Sequence, residues 1–278
     1  MQGAFGCTHR ICARCHSMNK TQYLAITAAV AVFLTLYLGF DTAPAARKAV
    51  ERSRSIQGES TSFDALLENA KSQLDAGLRA ELVELEQKSA AASPEPERAA
   101  ALKRLSGWWY AQGDVPVAGG FAEQAAELEN TDSAWSVTGA TFYHGILGAR
   151  DAGIREYCAA HAVKAFESAV SLNPGQPEHR VNLALVYAEA PPKDNPMQAV
   201  LMLRELEQKY PENASVYNAL GRLAIKTAQW TRAVERLEKA WALDKNNPNT
   251  PCLLAKAYEG AGQAGKAAEF AARCGGPK

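Results

Sequence analysis

The 278 residues carry 30 basic and 30 acidic side chains, and 47% of them are hydrophobic, enough to bury a core without overall charge bias. Zero net charge argues against nucleic acid as a partner, because phosphate binding relies on a concentrated basic surface. No run of five or six like charges supplies one locally.

The N-terminal tail, residues 1–20, contains Cys12, Cys15 and His16 in the spacing CxxCH. That is the pattern for covalent c-type haem attachment, in which two thiols hold the porphyrin and the histidine ligates iron. With Cys7 and His9 nearby, a small zinc site is an alternative use of the same donors. Met18 opens a short basic start followed at once by an apolar run. Translation from Met18 would remove the motif, and neither haem nor metal is expected as a cofactor.

Thr21 to Phe40 contains no charged residue. About 20 apolar residues in a helix cross a bilayer core. A cleaved export signal has a shorter apolar region, about 7 to 15 residues. Residues 21–40 are therefore expected to form a transmembrane helix. Arg10, Arg14 and Lys20 precede it, and Arg47, Lys48, Arg52 and Arg54 follow it, so the basic flanks nearly cancel as an orientation signal. A long polar domain behind an N-terminal anchor is expected on the periplasmic side of a cell membrane crossed once.

Residues 41–62 are polar and aperiodic, as in a tether. From Phe63, Leu66, Leu67, Ala70 and Leu74, then Leu78, Leu82 and Leu85, fall at helical spacing. Ser62 suits the N-cap, Asp75 and Gly77 divide the stretch, and Ser93 to Pro96 end it. Residues 63–92 are expected to be a helical hairpin or a pair of capping helices.

The remainder repeats itself. Leu220 and Gly221 recur as Leu254 and Ala255, Ala233 as Ala267 and Ala240 as Cys274, each offset by 34 residues. A period in this range marks stacked helical hairpins. Two gapless units carry the pattern: Tyr217, Leu220, Gly221, Ala233, Leu237 and Ala240, then Leu254, Ala255, Tyr258, Ala267 and Cys274. Upstream, Leu183, Ala184, Tyr187, Ala199, Leu203 and Leu206 fit after a short insertion at Pro191 and Pro192. Trp135, Gly139 and Phe142 fit with Ala162, Phe166 and Ala169 after a longer insertion near His144 to Arg155; both insertions are expected in the turn between paired helices. Leu105, Trp109, Gly113, Ala118 and Ala125 form the earliest unit.

On these residues the chain resembles the tetratricopeptide repeat (TPR) family, over about five repeats in residues 97–278. The resemblance implies an all-α solenoid of stacked antiparallel hairpins, with a concave groove lined by the first helices. It further implies a non-enzymatic scaffold that binds partner proteins or peptides, which the expected span at residues 21–40 would anchor to a membrane. Carried over residue by residue, the groove positions are Val181 and Leu185, Asn218 and Arg222, then Cys252 and Lys256. An apolar entry followed by amide and cations suits a peptide bearing a hydrophobic side chain and a carboxylate. Some anchored proteins of this kind serve cytochrome c maturation or another envelope assembly complex, which is the alternative role.

Signals for catalysis are thin. Gly260, Gly262 and Gly265 spell GxGxxG, but a nucleotide loop needs a strand before the glycines, and the residues before these belong to a repeat helix. Cys158 and His161 lie one helical turn apart without an identifiable third group. Cys252 and Cys274 are candidates for a bridge if the domain is exported; spacing alone does not supply their separation.

Overall fold

The computed structural model describes residues 19–39 and 61–274, with the side chains of the first segment described through Phe33. The CxxCH motif and residues 41–60 of the tether lie outside the described residues. Two compact units divide the chain, Met1–Ser55 and Ile56–Lys278. Thirteen helices and no strand occur among the described residues.

In the first unit α1 runs Lys20–Gly39. Tyr23, Leu24, Ile26, Val30, Val32 and Phe33 are all exposed on it. Among the described residues no helix is long and apolar enough to cross a membrane. The expectation of a span therefore keeps only its sequence support.

The second unit begins with α2 (Phe63–Gln73) and α3 (Ala76–Ala91). Five hairpins follow: α4 (Glu95–Ala111) with α5 (Val115–Glu129), α6 (Asp132–Gly148) with α7 (Ala152–Leu172), and α8 (Pro177–Glu189) with α9 (Gln198–Lys209). The last two are α10 (Ala214–Lys226) with α11 (Trp230–Leu243), and α12 (Asn249–Gly260) with α13 (Ala264–Ala271). Each hairpin packs on the next, so the unit is an all-α repeat solenoid.

Local chemistry sets the helix starts. Ser62, Asp75, Asp114, Thr131, Asp151 and Asn213 are N-caps whose side-chain oxygens accept the amide three residues on. Each satisfies a donor that the helix cannot. The turns inside hairpins one, four and five share one hydrogen-bond pattern. The amides of Asp114, Gln229 and Gln263 donate to the carbonyls of Trp109, Ala224 and Tyr258 at 3.1, 2.8 and 2.8 Å. At the same place in each turn, Gly113, Ala228 and Gly262 adopt φ of 85°, 54° and 74°.

The longer insertion expected near His144 to Arg155 takes a different form. Its residues lengthen α6 to 17 and α7 to 21 residues, leaving only Ala149 to Asp151 between them. Helical spacing continues through Phe142 and Ile146, then Cys158 and Ala162, all buried, so the extra chain goes into helix.

Small residues set the hairpin spacing. A Cβ on Gly139 would lie 2.8 Å from the Phe166 ring, and one on Gly221 would strike the Leu237 side chain. Gly120 lies beneath Phe63, which also meets Phe121 edge-on at 5.2 Å between centroids. Through that contact α2 docks on α5, while α3 packs on α4. Phe63, Leu66, Leu67, Leu74 and Leu85 thereby close over a core containing Leu105, Trp109 and Phe121.

Candidate protein-binding face

The first helices of the hairpins, α4, α6, α8, α10 and α12, share one face, and polar latches tie most of its junctions. Asp132 accepts from Asn173 Nδ2 at 2.9 Å and pairs with His179 Nε2 at 3.1 Å. Those hydrogen bonds hold the Asp132 carboxyl below its usual range, the one from Asn173 most strongly. Asn213 Nδ2 donates to Glu178 Oε1 at 2.8 Å, and Thr250 Oγ1 donates to Asn218 Oδ1 at 3.0 Å.

The junction between α4 and α6 differs. Successive first helices pack directly from α6 onward, whereas α4 and α6 lack comparable packing. No hydrogen bond or ion pair joins them among the described residues. A cleft of about 390 Å³ opens there, floored by Ala122, Ala125 and Ala126 of α5. Gly107 and Tyr110 form one wall, Ala134, Val137 and Thr141 the other, and the Lys103–Glu129 ion pair at 2.5 Å lies at the rim. Val137 is 64% exposed and Tyr110 46%, so the cleft presents apolar surface to solvent.

A line of rings continues from the cleft. Tyr110 meets His144 edge-on at 6.4 Å, His144 meets Tyr143 at 6.3 Å, and the Arg222 guanidinium lies 6.0 Å from the Tyr143 ring. Burial raises the Tyr143 phenol, opposed by Arg222 and reinforced by Glu189. The phenol is thus a neutral hydrogen-bonding group. Lys226 Nζ donates to Glu189 Oε2 at 2.8 Å and to the Ala188 carbonyl at 2.6 Å, occupying that cation. Arg222 makes no hydrogen bond or ion pair among the described residues, so its charge is available to an outside carboxylate.

The expected groove residues divide on this frame. Val181 is 3% exposed and packs with Leu203, Leu206 and Val216, and Leu185 sits half-buried against the same cluster. Asn218 is 9% exposed and used by Thr250. Lys256 is exposed. Of the expected groove residues, Arg222 lies on the ring line. Tyr110, Val137 and His144 lie outside the groove positions carried over from the repeat pattern, each off the buried stripe of its own helix.

The second helices hold a separate cluster. Glu123 of α5 is 7% exposed and accepts from Lys164 Nζ of α7 at 2.6 Å, and its other oxygen is 2.6 Å from His161 Nδ1. Burial works to raise the Glu123 carboxyl, but the hydrogen bonds from His161 and Lys164 outweigh it and hold it below its usual range. Cys158 is buried against Gly145, and burial, aided by the Asp114 charge, pushes its thiol up to about 12. A thiol so held is no nucleophile at neutral pH. The three glycines of GxGxxG fall at the end of α12, in the following turn and at the start of α13, so their setting is helix–turn–helix.

Cys252 and Cys274 form a disulfide, with Cα atoms 4.7 Å apart.

No protein-family profile matches the sequence, and no curated protein matches it. Solved structures similar to it include TPR proteins. A thermophilic TPR protein of Thermus thermophilus is 20% identical over 63% of this chain and 89% of its own, with a TM-score of 0.49. A TPR protein of Parabacteroides merdae is 15% identical over 75% and 77%, with a TM-score of 0.47. PilF of Pseudomonas aeruginosa is 18% identical over 66% and 79%, with a TM-score of 0.43. The repeat architecture of this chain rests on its own stacked hairpins.

Proposed function

We propose that this chain is a membrane-tethered scaffold that binds a segment of a partner protein along the first-helix face. The observation that carries this reading is the open α4–α6 cleft continued by Tyr110, His144 and Tyr143 to the unpaired Arg222. A segment with an apolar side chain for the cleft and a carboxylate for Arg222 matches both ends. Desolvated aromatic and arginine positions contribute most to such contacts.

What supports the tether is the uncharged run from Thr21 to Phe40, which is long enough in sequence for a bilayer core. What supports a periplasmic repeat domain is the Cys252–Cys274 bridge, since structural disulfides persist in oxidising compartments.

A photo-crosslinking residue at Val137 of the full chain, in intact membranes, tests the face. Capture of a discrete partner is expected, falling at least about tenfold with Arg222→Glu, as loss of a charge-assisted contact implies. Undiminished capture in Arg222→Glu, or none from Val137, rejects the assignment. Capture of apocytochromes would move the reading to cytochrome c maturation. Recovery of the chain in the soluble fraction rejects the tether alone.

A further inference from the structure

The final hairpin is held by an unusual balance. Helix α13 has eight residues, and its one large buried side chain is Phe270, stacked on Tyr258 at 5.6 Å and edge-on to Trp241 at 6.0 Å. Ala267 adds a half-buried methyl. Lys266 lies 5.0 Å from the Tyr258 ring and 3.8 Å from Glu238, both exposed-side contacts. One phenyl ring and a few alanines are a small return for ordering eight residues, and a helix this short does not persist alone. The covalent bond from Cys252 in α12 to Cys274 beyond α13 closes this gap.

The two sulfurs are placed unequally. Cys274 is exposed, whereas Cys252 is half-buried at the fourth position of α12, its sulfur 3.8 Å from the Pro248 carbonyl. Exchange requires access to the sulfur that is attacked, which favours Cys274.

We propose that Cys252–Cys274 is a reducible clamp on the end of the solenoid, opened by a dithiol reductant attacking Cys274. The attacking thiolate bonds to Cys274 Sγ as the S–S bond breaks, and Cys252 leaves as a thiolate and takes a proton. The reductant's second thiol then attacks the mixed disulfide, and Cys274 departs and is protonated. Two electrons and two protons pass to the chain while the reductant closes its own disulfide. Opening the clamp lets α13 leave α12 and uncovers the aromatic surface of Tyr258 and Trp241. Hairpins one to four keep their packing, because among the described residues α13 packs mainly within its own hairpin, with side-chain contacts to the adjoining α11.

Hydrogen exchange of the full chain, oxidised and after dithiothreitol, tests this. Amides of α13 are expected to exchange about a hundredfold faster once reduced, the scale set by removing a cross-link over 22 residues. Those of α10 should be unchanged, and the Cys252→Ser, Cys274→Ser double variant should match the reduced protein without reductant. Equal α13 exchange in the two states overturns the proposal. So does loss of protection in α10 together with α13, which would make the bridge a staple of the whole fold.

Discussion

Ala228 adopts the left-handed backbone, φ 54°, that Gly113 and Gly262 adopt in the matching turns of other hairpins. Its Cβ crowds the following carbonyl there, a strain glycine does not carry. Ala228→Gly is therefore expected to stabilise the fourth hairpin by about 0.5–1 kcal/mol, the strain relieved exceeding glycine's unfolded-state entropy. A rise in the urea midpoint of the repeat domain checks it. Gly221 presents the opposite case. Its place against Leu237 leaves no room for a side chain, so Gly221→Leu is expected to cost about 1–3 kcal/mol by overpacking. The same measurement, read as a lowered midpoint, tests that cost.

At the scale of elements, α5 and α7 are joined by Glu123 with His161 and Lys164, a carboxylate almost removed from water between an imidazole and an ammonium. Because the folded carboxyl is held below its usual range, its stabilisation is fully present above the unfolded pKa, about 4.3. It is lost as pH falls through the lower folded value. Thermal unfolding should thus show a decline on acidification below about pH 4 that Glu123→Gln weakens. At neutral pH that variant is expected to be less stable by about 1–2 kcal/mol, the loss of charged hydrogen bonds. A pH profile parallel to that of the parent chain would contradict the assignment.

Elements also show what spacing discloses. The 34-residue offset was visible because hairpins four and five share a turn and a small residue where helices touch. The extra chain around His144 to Arg155 was visible too, but not its form, since lengthening two helices and lengthening a loop leave similar gaps in a repeat pattern. Arg222 could be found from its position on a first helix. Val181 and Asn218 follow the same positional rule yet are buried, Val181 between α9 and α10 and Asn218 against Thr250 of α12, because rotation about the helix axis depends on how α8 and α10 pack. The α4–α6 cleft arises from helix separation, a quantity that no single helix encodes.

For the repeat unit as a whole, stability is the sum of hairpins and the contacts between neighbours. Its two ends are not equivalent in what they shield. Helices α2 and α3 and the link between them lay five large apolar side chains over Leu105, Trp109 and Phe121, a core shared across the first hairpin. The last hairpin lies on α10 and α11 through Leu254 and Tyr258 against Ile225, Ala233 and Leu237. Deleting residues 249–274 should therefore open only the adjoining hairpin, leaving the amide protection of α4 to α9 as it was. Deleting residues 61–92 should expose the α4–α5 core at its widest and drive association through it, since large apolar patches seek cover. Size-exclusion chromatography and hydrogen exchange of the two truncations distinguish these outcomes. Equal behaviour would mean that the first two described helices of this unit are attached to the solenoid rather than closing it.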